Sequence, residues 1–386
     1  MKNILYLHAG SEMYGSDKIL LELVTGLNKK SFHPIVVLPS TGVLETKMLE
    51  ANIEVHVVDY PILRRKYMNF KGILKYCYFY RQSIKKILNT FKGRKIDLIH
   101  INTLAVLEGI ALKRKLRVPL IWHVHEIILR PRIVFFVTSF LAGMFSEKIV
   151  AVSKPVKQHL INSKLISAKK IVIIHNGIDN NIYSDQAKFN YIFDELEIPE
   201  NSVRVGMIGR INAWKGQKDF LNAMFPLLKK NKNLYAFLLG GTFDGEKWRR
   251  EELEVQIKSS GVKSQIRLLD FRKDTASFYN FFDIFVLPST NPDPLPTVVL
   301  EAMASGKSIV GYRHGGITEM VGEKENGLLA EPGNVPDLSK KINTLIGNKQ
   351  LRIRYGDNSK IKEEKYFSLE TFLLNFSKLY QNLTSS

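Results

Sequence analysis

Cysteine is almost absent from this sequence of 386 residues, which contains only Cys77. A single thiol can form no internal disulfide and offers no cysteine cluster for structural zinc, and this favours a reducing compartment. Long apolar runs are missing as well, because the longest, residues 133–145, has 13 residues where a membrane-spanning helix needs about 20. The chain opens without a basic segment followed by an apolar one, so we expect no signal peptide and a soluble or peripheral cytoplasmic protein.

Acidic residues are also scarce, since 37 of them face 56 basic ones and the net charge is +19. Nearly all the excess lies in the first half, because residues 1–180 contain 28 basic and 12 acidic residues, whereas residues 181–386 contain 28 and 25. Residues 61–95 contain no acid and interleave seven aromatic residues with eleven basic ones. Such a patch attracts anionic bilayers or anionic polymers, and an ordinary solvated face is the alternative. The basic residues are Arg64, Arg65, Lys66, Lys71, Lys75, Arg81, Lys85, Lys86, Lys92, Arg94 and Lys95.

Short β-branched runs alternate with segments of helical period along most of the chain, which predicts an α/β fold with two doubly wound parallel sheets. A polar, acidic interval, residues 179–202, is the predicted linker between them. Helical segments end the chain, the last being amphipathic over residues 369–383. Ligands of such sheets bind beyond the carboxyl ends of the strands. The predicted strands are 3–8, 34–38, 54–58, 96–101, 120–124, 148–152 and 171–174 in the first unit, and 203–208, 235–239, 265–269, 284–287, 308–310 and 328–330 in the second.

Two loops that follow strands of the first half contain candidate ligand-binding residues. A loop bounded by Gly10 and Gly15 leads into a helix, whose N terminus could bind an anion or could simply be a turn. Its glycines lack the G-x-G-x-x-G spacing, so no dinucleotide cofactor is predicted. His123 and His125 lie on one side of a strand at its carboxyl end. Contact with a bound ligand is the preferred interpretation, metal ligation has no further ligands nearby, and a satisfied half-buried histidine stays open.

A cationic loop follows the first strand of the second half. Gly209 and Arg210 begin it, and Lys215 and Gly216 end it just before a helical segment. A forked guanidinium and a point-charge ammonium over a helix N terminus suit two phosphates. The loop therefore predicts a diphosphate site, and merely solvated cations are the alternative.

Two carboxylates eight residues apart, Asp293 and Glu301, follow a later strand. Asp293 lies in a proline-rich loop, and Glu301 lies one to two turns into a helix predicted to begin near Thr297. Such a pair can point into one cleft and bind vicinal hydroxyls, as on a ribose and a sugar. An exposed aspartate and a surface glutamate are the alternative, but the apolar residues around Glu301 predict a buried helix, where an idle carboxylate would be costly.

Taken together, six motifs in this order resemble those of the retaining GT-B glycosyltransferases of family 4, and the resemblance covers essentially the whole chain. It implies two Rossmann-like domains whose parallel sheets face each other across a cleft that holds a nucleotide-sugar. The motifs are His175-Asn176-Gly177-Ile178-Asp179 after Val152-Ser153, Gly209-Arg210 with Lys215-Gly216, Asp293 to Glu301, the following Ala302-Met303-Ala304-Ser305-Gly306, Gly315-Gly316 with Glu319, and Asn326-Gly327-Leu328-Leu329.

The resemblance implies a role for each matching residue. Arg210 and Lys215, with Gly209, would hold the donor diphosphate and stabilise the departing nucleotide. Glu301 would bind the ribose, and His125 would approach the sugar from the opposite domain. Other donor and acceptor contacts are implied for Asp293 with the backbone N–H groups of Leu295, Thr297 and Val298, which would hold the sugar and phosphates, and for Gly15 and Ser16 on the acceptor and phosphate side.

Three departures from the family pattern stand out. Asp293 replaces the usual glutamate and is one methylene shorter, Pro296 replaces the commonest glycine and removes one N–H, and the loop between Gly10 and Gly15 is not the common double glycine. The first change bears on which sugar is accepted.

We therefore expect a metal-independent, retaining transferase that uses a UDP- or GDP-sugar and no resident cofactor. The expected domains are residues 1–180 for the acceptor, 181–365 for the nucleotide-sugar, and 366–386 as a helix returning to the first domain. A glycan or lipid-linked acceptor, surface polysaccharide assembly (lipopolysaccharide or capsule) and docking on the inner face of an anionic membrane follow from the basic first half. A nucleotide-sugar 2-epimerase and an anionic-polymer-binding protein are the alternatives, although no RNA-binding signature occurs and no nucleic acid partner is expected.

Overall fold

The computed structural model describes residues 1–64, 67–183, 188–243 and 245–385. The chain forms two compact units. The first consists of Met1–Gly177 and Leu369–Ser386, and the second consists of Ile178–Ser368. The chain therefore leaves the first unit once and returns to it for its last helix.

Seven parallel strands form the sheet of the first unit, in the order β3-β2-β1-β4-β5-β6-β7. Strands such as these, buried on both faces, are rich in β-branched and aliphatic residues because helices cover both sides. The order reverses between β1 and β4, which makes their carboxyl ends the expected place for a ligand. The strands are β1 (Lys2–Leu7), β2 (Phe32–Leu38), β3 (Glu54–Val57), β4 (Leu98–Ile101), β5 (Leu120–Val124), β6 (Lys148–Ala151) and β7 (Ile171–Ile173).

Helices connect these strands, and the last helix of the chain completes the core of this unit. Phe372, Phe376 and Tyr380 of that helix are buried against the sheet. The Tyr380 hydroxyl lies 3.0 Å from the Tyr6 hydroxyl and 2.7 Å from His100 Nδ1. The helices are α1 (Gly15–Gly26), α2 (Val43–Glu50), α3 (Phe70–Thr90), α4 (Glu108–Leu116), α5 (Arg132–Phe145), α6 (Lys154–Ile161) and, at the end of the chain, α15 (Leu369–Thr384).

Six parallel strands form the sheet of the second unit, in the order β10-β9-β8-β11-β12-β13. Its order reverses between β8 and β11, so this unit repeats the doubly wound plan of the first. The strands are β8 (Val203–Ile208), β9 (Leu234–Leu239), β10 (Ile266–Leu269), β11 (Ile284–Leu287), β12 (Ser308–Tyr312) and β13 (Gly327–Ala330). The helices are α7 (Tyr191–Glu195), α8 (Gln217–Lys230), α9 (Trp248–Ser259), α10 (Thr275–Phe281), α11 (Thr297–Ala304), α12 (Ile317–Met320), α13 (Val335–Ile346) and α14 (Lys349–Tyr366).

The prediction of two Rossmann-like α/β units is confirmed, since every predicted strand corresponds to a strand of the structure within two residues at either end. The predicted linker is wrong, because much of the interval 179–202 packs on the second unit. Helix α7 places the Phe193 ring against Phe281, with the ring centroids 5.1 Å apart, and Glu195 pairs with Arg272. Polar composition suggested a linker because it does not reveal such anchors; Asp185, also in this interval, lies outside the described residues.

Segment 61–95 is mostly the long helix α3, which buries one narrow stripe and exposes most of its remaining surface. Tyr76 and Phe91 are buried, and Arg94 is paired with Glu54. The segment therefore presents fewer aromatic and basic groups than its composition suggests. Two of its basic residues, Arg65 and Lys66, lie outside the described residues.

Candidate functional site

Loops at the carboxyl ends of neighbouring strands bring together the predicted residues of the second unit. The loop after β8 is shaped by Asn212, whose Oδ1 accepts hydrogen bonds from the backbone N–H groups of Trp214 and Lys215 at 3.0 and 2.9 Å. Gly216 ends it in a left-handed conformation, with φ +85°, and a Cβ there would lie 1.8 Å from the Pro288 carbonyl oxygen. This close approach locks the β8 loop against the β11 loop.

An ion pair joins these two loops. Lys215 Nζ lies 3.1 Å from both carboxylate oxygens of Asp293, and the Ser289 hydroxyl donates to Asp293 Oδ2 at 2.5 Å. The side chains of Lys215 and Asp293 are only 17% and 13% exposed. Two residues that the sequence predicted for diphosphate and sugar, 78 positions apart, are therefore brought into direct contact.

Arg210, the other predicted phosphate ligand, lies in the same β8 loop. Its guanidinium carbon is 3.7 Å from the centroid of the Phe243 ring, in the loop after β9. This cation–π contact holds the long side chain against an aromatic platform. The backbone carbonyl of Arg210 accepts from the Gln217 side chain at 2.9 Å, which ties the loop to the start of α8.

The first turn of α11 follows Asp293 directly. This helix begins at Thr297, as predicted, and its N-cap is Pro296, whose side chain makes no capping hydrogen bond. The first N–H groups of any helix have no acceptor within it, so those of Thr297 and Val298 are suited to an anionic or carbonyl partner. Leu295, just before the helix, is buried.

Glu301 lies inside α11 and is 3% exposed, as its apolar neighbours predicted. The Tyr279 hydroxyl donates to Glu301 Oε2 at 2.7 Å. Burial, and then the charge of Glu301, raise the pKa of Tyr279 well above its usual range, so Tyr279 stays a donor. Sequence reasoning missed this tyrosine, which gives the buried carboxylate one of its partners.

His314 is a second residue that sequence reasoning missed. It follows β12 and lines a small cavity together with Ser289, Asp293 and Tyr312. Its Nε2 donates to the Ser289 carbonyl at 2.5 Å. The only signal for it in the sequence was its position directly before Gly315 and Gly316.

The first unit contains the remaining predicted residues. His125 directly follows β5, and its Nε2 lies 3.1 Å from Asn102 Oδ1. Gly15 begins α1, and the backbone carbonyl of the adjacent Ser16 lies 3.4 Å from Asn102 Nδ2. Asn102, which was not predicted, therefore connects the two predicted parts of this site.

The His125 ring lies among other histidine rings. Its centroid is 4.0 Å from that of His123, which is fully buried. Burial, and then the nearby His8, lower the pKa of His125 to about 3. The ring is therefore neutral at physiological pH and can act through hydrogen bonds but not as a resident cation.

A buried carboxyl group fixes the backbone beside this ring. Glu126 Oε2 accepts from the His125 N–H at 3.0 Å, and Glu126 Oε1 accepts from the Leu104 N–H at 3.3 Å and from the Thr103 hydroxyl. Burial raises the pKa of Glu126. The loops after β4 and β5 are thus tied together below the ring.

Two further features of the described residues concern metal-binding groups and membrane-spanning helices. They contain no group of three or more His, Cys, Asp or Glu side chains arranged to hold a metal ion. Within the same ranges, no helix has both the length and the hydropathy that crossing a membrane requires.

Comparison with known proteins agrees with this fold. A family model described as Glycosyl transferases group 1 matches residues 188–362, and one described as Glycosyltransferase Family 4 matches residues 14–181. An uncharacterised glycosyltransferase of Methanocaldococcus jannaschii, MJ1178, is 30% identical over 77% of this chain and 78% of that protein. The lipopolysaccharide core biosynthesis glycosyltransferase LpsE of Rhizobium meliloti is 28% identical over 49% of this chain and 51% of its own length.

A solved structure covers the whole architecture. The crystal structure of Anabaena HepE in complex with UDP has a TM-score of 0.85 and 26% identity, and the match covers 99% of this chain and 100% of HepE. HepE has also been solved with UDP-glucose. Two Rossmann-like units of this kind define the GT-B class of fold. Within that class, the chain belongs to the group 1 glycosyltransferases.

Proposed function

We propose that this glycosyltransferase moves a hexose from a UDP-linked donor to a glycan or lipid-linked acceptor, with retention of the anomeric configuration and without a divalent metal ion. The observation that carries the proposal is the Lys215–Asp293 pair, held at the carboxyl ends of β8 and β11 beside the first turn of α11. A cation next to a helix N terminus suits a diphosphate. A carboxylate at the same point suits sugar hydroxyls.

The donor base is assigned to uracil because HepE, solved with UDP and with UDP-glucose, is similar over the whole chain. In this assignment the buried Glu301 accepts hydrogen bonds from the ribose hydroxyls. Its carboxylate is held by Tyr279, so it does not need to reorganise when the nucleotide arrives. Lys215 and Arg210 bind the two phosphates.

Sugar selection is assigned to Asp293. The Asp293 carboxylate accepts a hydrogen bond from Ser289 and pairs with Lys215. The Asp293 side chain is one methylene shorter than the glutamate of the family pattern. Pro296 contributes no N–H beside it. The small cavity lined by Asp293 and His314 is therefore where the sugar hydroxyls are distinguished.

The chemical step breaks the bond between the anomeric carbon and the diphosphate oxygen, and the acceptor hydroxyl takes the same face of the sugar. The hydroxyl proton leaves with the departing UDP. Negative charge grows on the diphosphate during this step, and in this proposal Arg210 and Lys215 stabilise it. Side-chain cations in this role remove the need for a divalent ion, and the nucleotide-sugar is a substrate with no resident cofactor beside it.

The acceptor is assigned to surface polysaccharide assembly at the cytoplasmic face of the membrane. The relative LpsE is described as an enzyme of lipopolysaccharide core biosynthesis. The surplus of 16 positive charges within residues 1–180 suits an anionic or membrane-anchored acceptor.

Helix α3 supplies a surface for that membrane. Phe70, Ile73, Leu74 and Tyr78 are exposed on it, with Phe70 78% exposed. All the charged side chains of this helix are basic. An apolar helix face framed by basic residues docks in the headgroup region of anionic bilayers, where each basic residue contributes about 1 kcal/mol. The basic residues of this face are Lys71, Lys75, Arg81 and Lys85.

A second exposed apolar row in the same unit supports this assignment. On α5, the residues Ile133, Val137, Phe140 and Met144 follow one another at helical spacing and are all exposed. An uncharged row of this kind is uncommon on a surface that faces only water.

A panel of UDP-, GDP-, ADP- and dTDP-sugars tests the donor assignment. A UDP-hexose at one hundred times its Kd should stabilise the protein by about 2.7 kcal/mol, and the other donors should not. With acceptor present, the anomeric proton coupling in the NMR spectrum of the product should match that of the donor, and EDTA should leave turnover unchanged. Conversion of the donor alone into its 2-epimer, or activity restored to EDTA-treated enzyme by Mg²⁺ or Mn²⁺, would contradict the proposal.

A further inference from the structure

A buried hydrogen-bond chain runs through the first unit beside the candidate site. His8, Asn102 and His125 are each the first residue after β1, β4 and β5, which are neighbours in the sheet. Asn102 Nδ2 lies 3.1 Å from His8 Nδ1, and Asn102 Oδ1 lies 3.1 Å from His125 Nε2. His8 Nε2 continues the chain to Asp17 Oδ1, in the first turn of α1, at 2.6 Å.

The acceptors at one end set the direction of every hydrogen bond in this chain. The Asp17 carboxylate can only accept, so His8 Nε2 donates to it. The Ser16 carbonyl, 3.4 Å from Asn102 Nδ2, can only accept, so the amide nitrogen is assigned to this side. Asn102 Nδ2 then donates to His8 Nδ1. Asn102 Oδ1 therefore faces His125, and His125 Nε2 must carry the hydrogen.

We infer that Asp17, His8 and Asn102 are positioning residues that hold His125 in one neutral tautomer, with its hydrogen on Nε2 and its lone pair on Nδ1. The group that this ring recognises is then a hydrogen-bond donor, a hydroxyl of the bound substrate. That His125 meets a sugar rests on the proposed function. The state of its ring does not.

Burial makes the chain effective. His8, Asn102 and Asp17 are 2%, 0% and 6% exposed, so water does not compete for their hydrogen bonds. The titratable groups around His125 are His8 just after β1, His100 on β4, His123 on β5, Asp17 on α1 and the adjacent Glu126. Glu126 is engaged by backbone N–H groups and Thr103, which leaves Asn102 as the partner of the ring nitrogen.

Two substitutions at position 102 separate the possible effects. Asn102→Ala removes both hydrogen bonds and frees the His125 ring to exchange tautomers. Asn102→Asp keeps the acceptor toward His125 but loses the donor toward His8 and adds a negative charge. A carboxylate within hydrogen-bond distance favours the protonated imidazole, so it should raise the pKa of His125 by one unit or more.

Nitrogen NMR of the full chain, with ¹⁵N in the histidine rings, reads the tautomer directly. The His8 and His125 signals are assigned by their loss in His8→Gln and His125→Gln. In the unsubstituted protein at pH 7.5 both rings should show hydrogen on Nε2, and in Asn102→Ala the His125 signal should move toward the average of the two tautomers. Hydrogen on Nδ1 of His125, or a His125 signal unmoved by Asn102→Ala, would overturn the inference. If Asn102→Ala fails to fold, Asp17→Asn replaces it in the same comparison, because it weakens the hydrogen bond to His8 at the end of the hydrogen-bond chain.

Donor turnover gives a second, independent readout. Asn102→Ala should lower kcat by roughly 10- to 100-fold with KM for the donor within about twofold, and adding His125→Ala should cost little more, because the two residues act as a unit. In Asn102→Asp, the pH at which the His125 ring signals titrate in the NMR experiment should move up by one unit or more. Losses that multiply in the double variant would overturn the inference. His159→Gln is the matched control, because His159 lies on α6 outside the hydrogen-bond chain. This variant should keep the turnover and pH profile of the unsubstituted protein.

The two readouts distinguish the two claims. The expected NMR result in a protein that turns over no UDP-sugar would refute the proposed function and leave the hydrogen-bond chain intact. Transfer activity in a protein whose His125 carries its hydrogen on Nδ1 would refute the hydrogen-bond chain and leave the proposed function intact.

Discussion

Replacement of Lys215 by alanine removes the ammonium group that lies 3.1 Å from both carboxylate oxygens of Asp293. If Lys215 stabilises the departing diphosphate, kcat should fall on the order of 10²-fold, which is the usual effect of losing one donor at a site of developing charge. The same change leaves the largely buried Asp293 with Ser289 as its nearest donor. The free energy of unfolding should therefore fall by about 1–3 kcal/mol.

A second substitution separates catalysis from folding. In the double variant Lys215→Ala with Asp293→Asn, the unpaired charge is gone, so most of the lost stability should return. Turnover should not return, because the phosphate-binding cation is still missing and the Asp293 carboxylate assigned to the sugar is now also changed. Denaturant unfolding and steady-state kinetics on the same samples measure the two quantities.

Lys218→Ala is the matched control for this experiment. Lys218 lies in the first turn of α8, three residues after Lys215, and forms an exposed pair with Glu252 at 2.7 Å. Exposed pairs contribute about 0–1 kcal/mol, so stability and turnover should both stay close to those of the unsubstituted protein. Unchanged kcat in Lys215→Ala, or recovery of kcat together with stability in the double variant, would refute the assignment of Lys215 to the leaving group.

Three further predictions follow from other parts of the structure. Glu301→Gln should weaken UDP binding, measured by calorimetry, by about 1–3 kcal/mol, because a charged acceptor for the ribose is lost while Tyr279 keeps a partner; unchanged affinity would remove Glu301 from the site. Charge reversal on α3 should release the protein from anionic vesicles at low salt and leave donor hydrolysis intact. Reversal of Lys229, Lys230 and Lys232, the control, should not release it. Equal vesicle binding by both variants would contradict the docking face. Burial, and then the nearby Glu364, raise the pKa of the buried Glu363 to about 8, so its contribution to stability falls as pH rises from about 4.5 to 8. The difference in free energy of unfolding between Glu363→Gln and the unsubstituted protein should therefore shift in favour of the variant by about 2–4 kcal/mol from pH 5 to pH 9. A difference independent of pH would rule out this titration. The α3 reversal consists of Lys71→Glu, Lys75→Glu and Arg81→Glu.

Strand positions were predictable because strands buried on both faces leave β-branched runs in the sequence. The start of α11 was predictable for a similar reason, since prolines precede it and apolar residues fill it. Burial of Glu301 followed from those neighbours. The argument that an idle buried carboxylate is costly was incomplete, however, because Tyr279 already supplies a hydrogen bond from 22 positions away in the sequence.

Contacts between loops that are far apart along the sequence could not be predicted from it. His8, Asn102 and Asp17 are ordinary polar residues until the strand order places β1 between β2 and β4, and β4 beside β5. Residue spacing says nothing about that order. The same limit applies to His314, which comes close to Asp293 only because β12 lies next to β11. Composition failed in a different way on α3, because counting aromatic residues does not reveal which of them, such as Tyr76, face the core.

The predicted residues of the two units differ in their electrostatics, and the chemistry proposed for each group explains the difference. A departing diphosphate gains negative charge, and a cation such as Lys215, which the second unit pairs with Asp293, suits that charge. A hydroxyl needs a directed acceptor and no net charge, and a neutral ring with a fixed tautomer provides it without the cost of burying an ion. With its pKa lowered to about 3 by burial, His125 stays neutral as pH falls from 8 to 5. Acid should therefore reduce turnover through other groups before it changes the state of this ring, and the pH profile of kcat should show no step near 6.5 that disappears in His125→Gln.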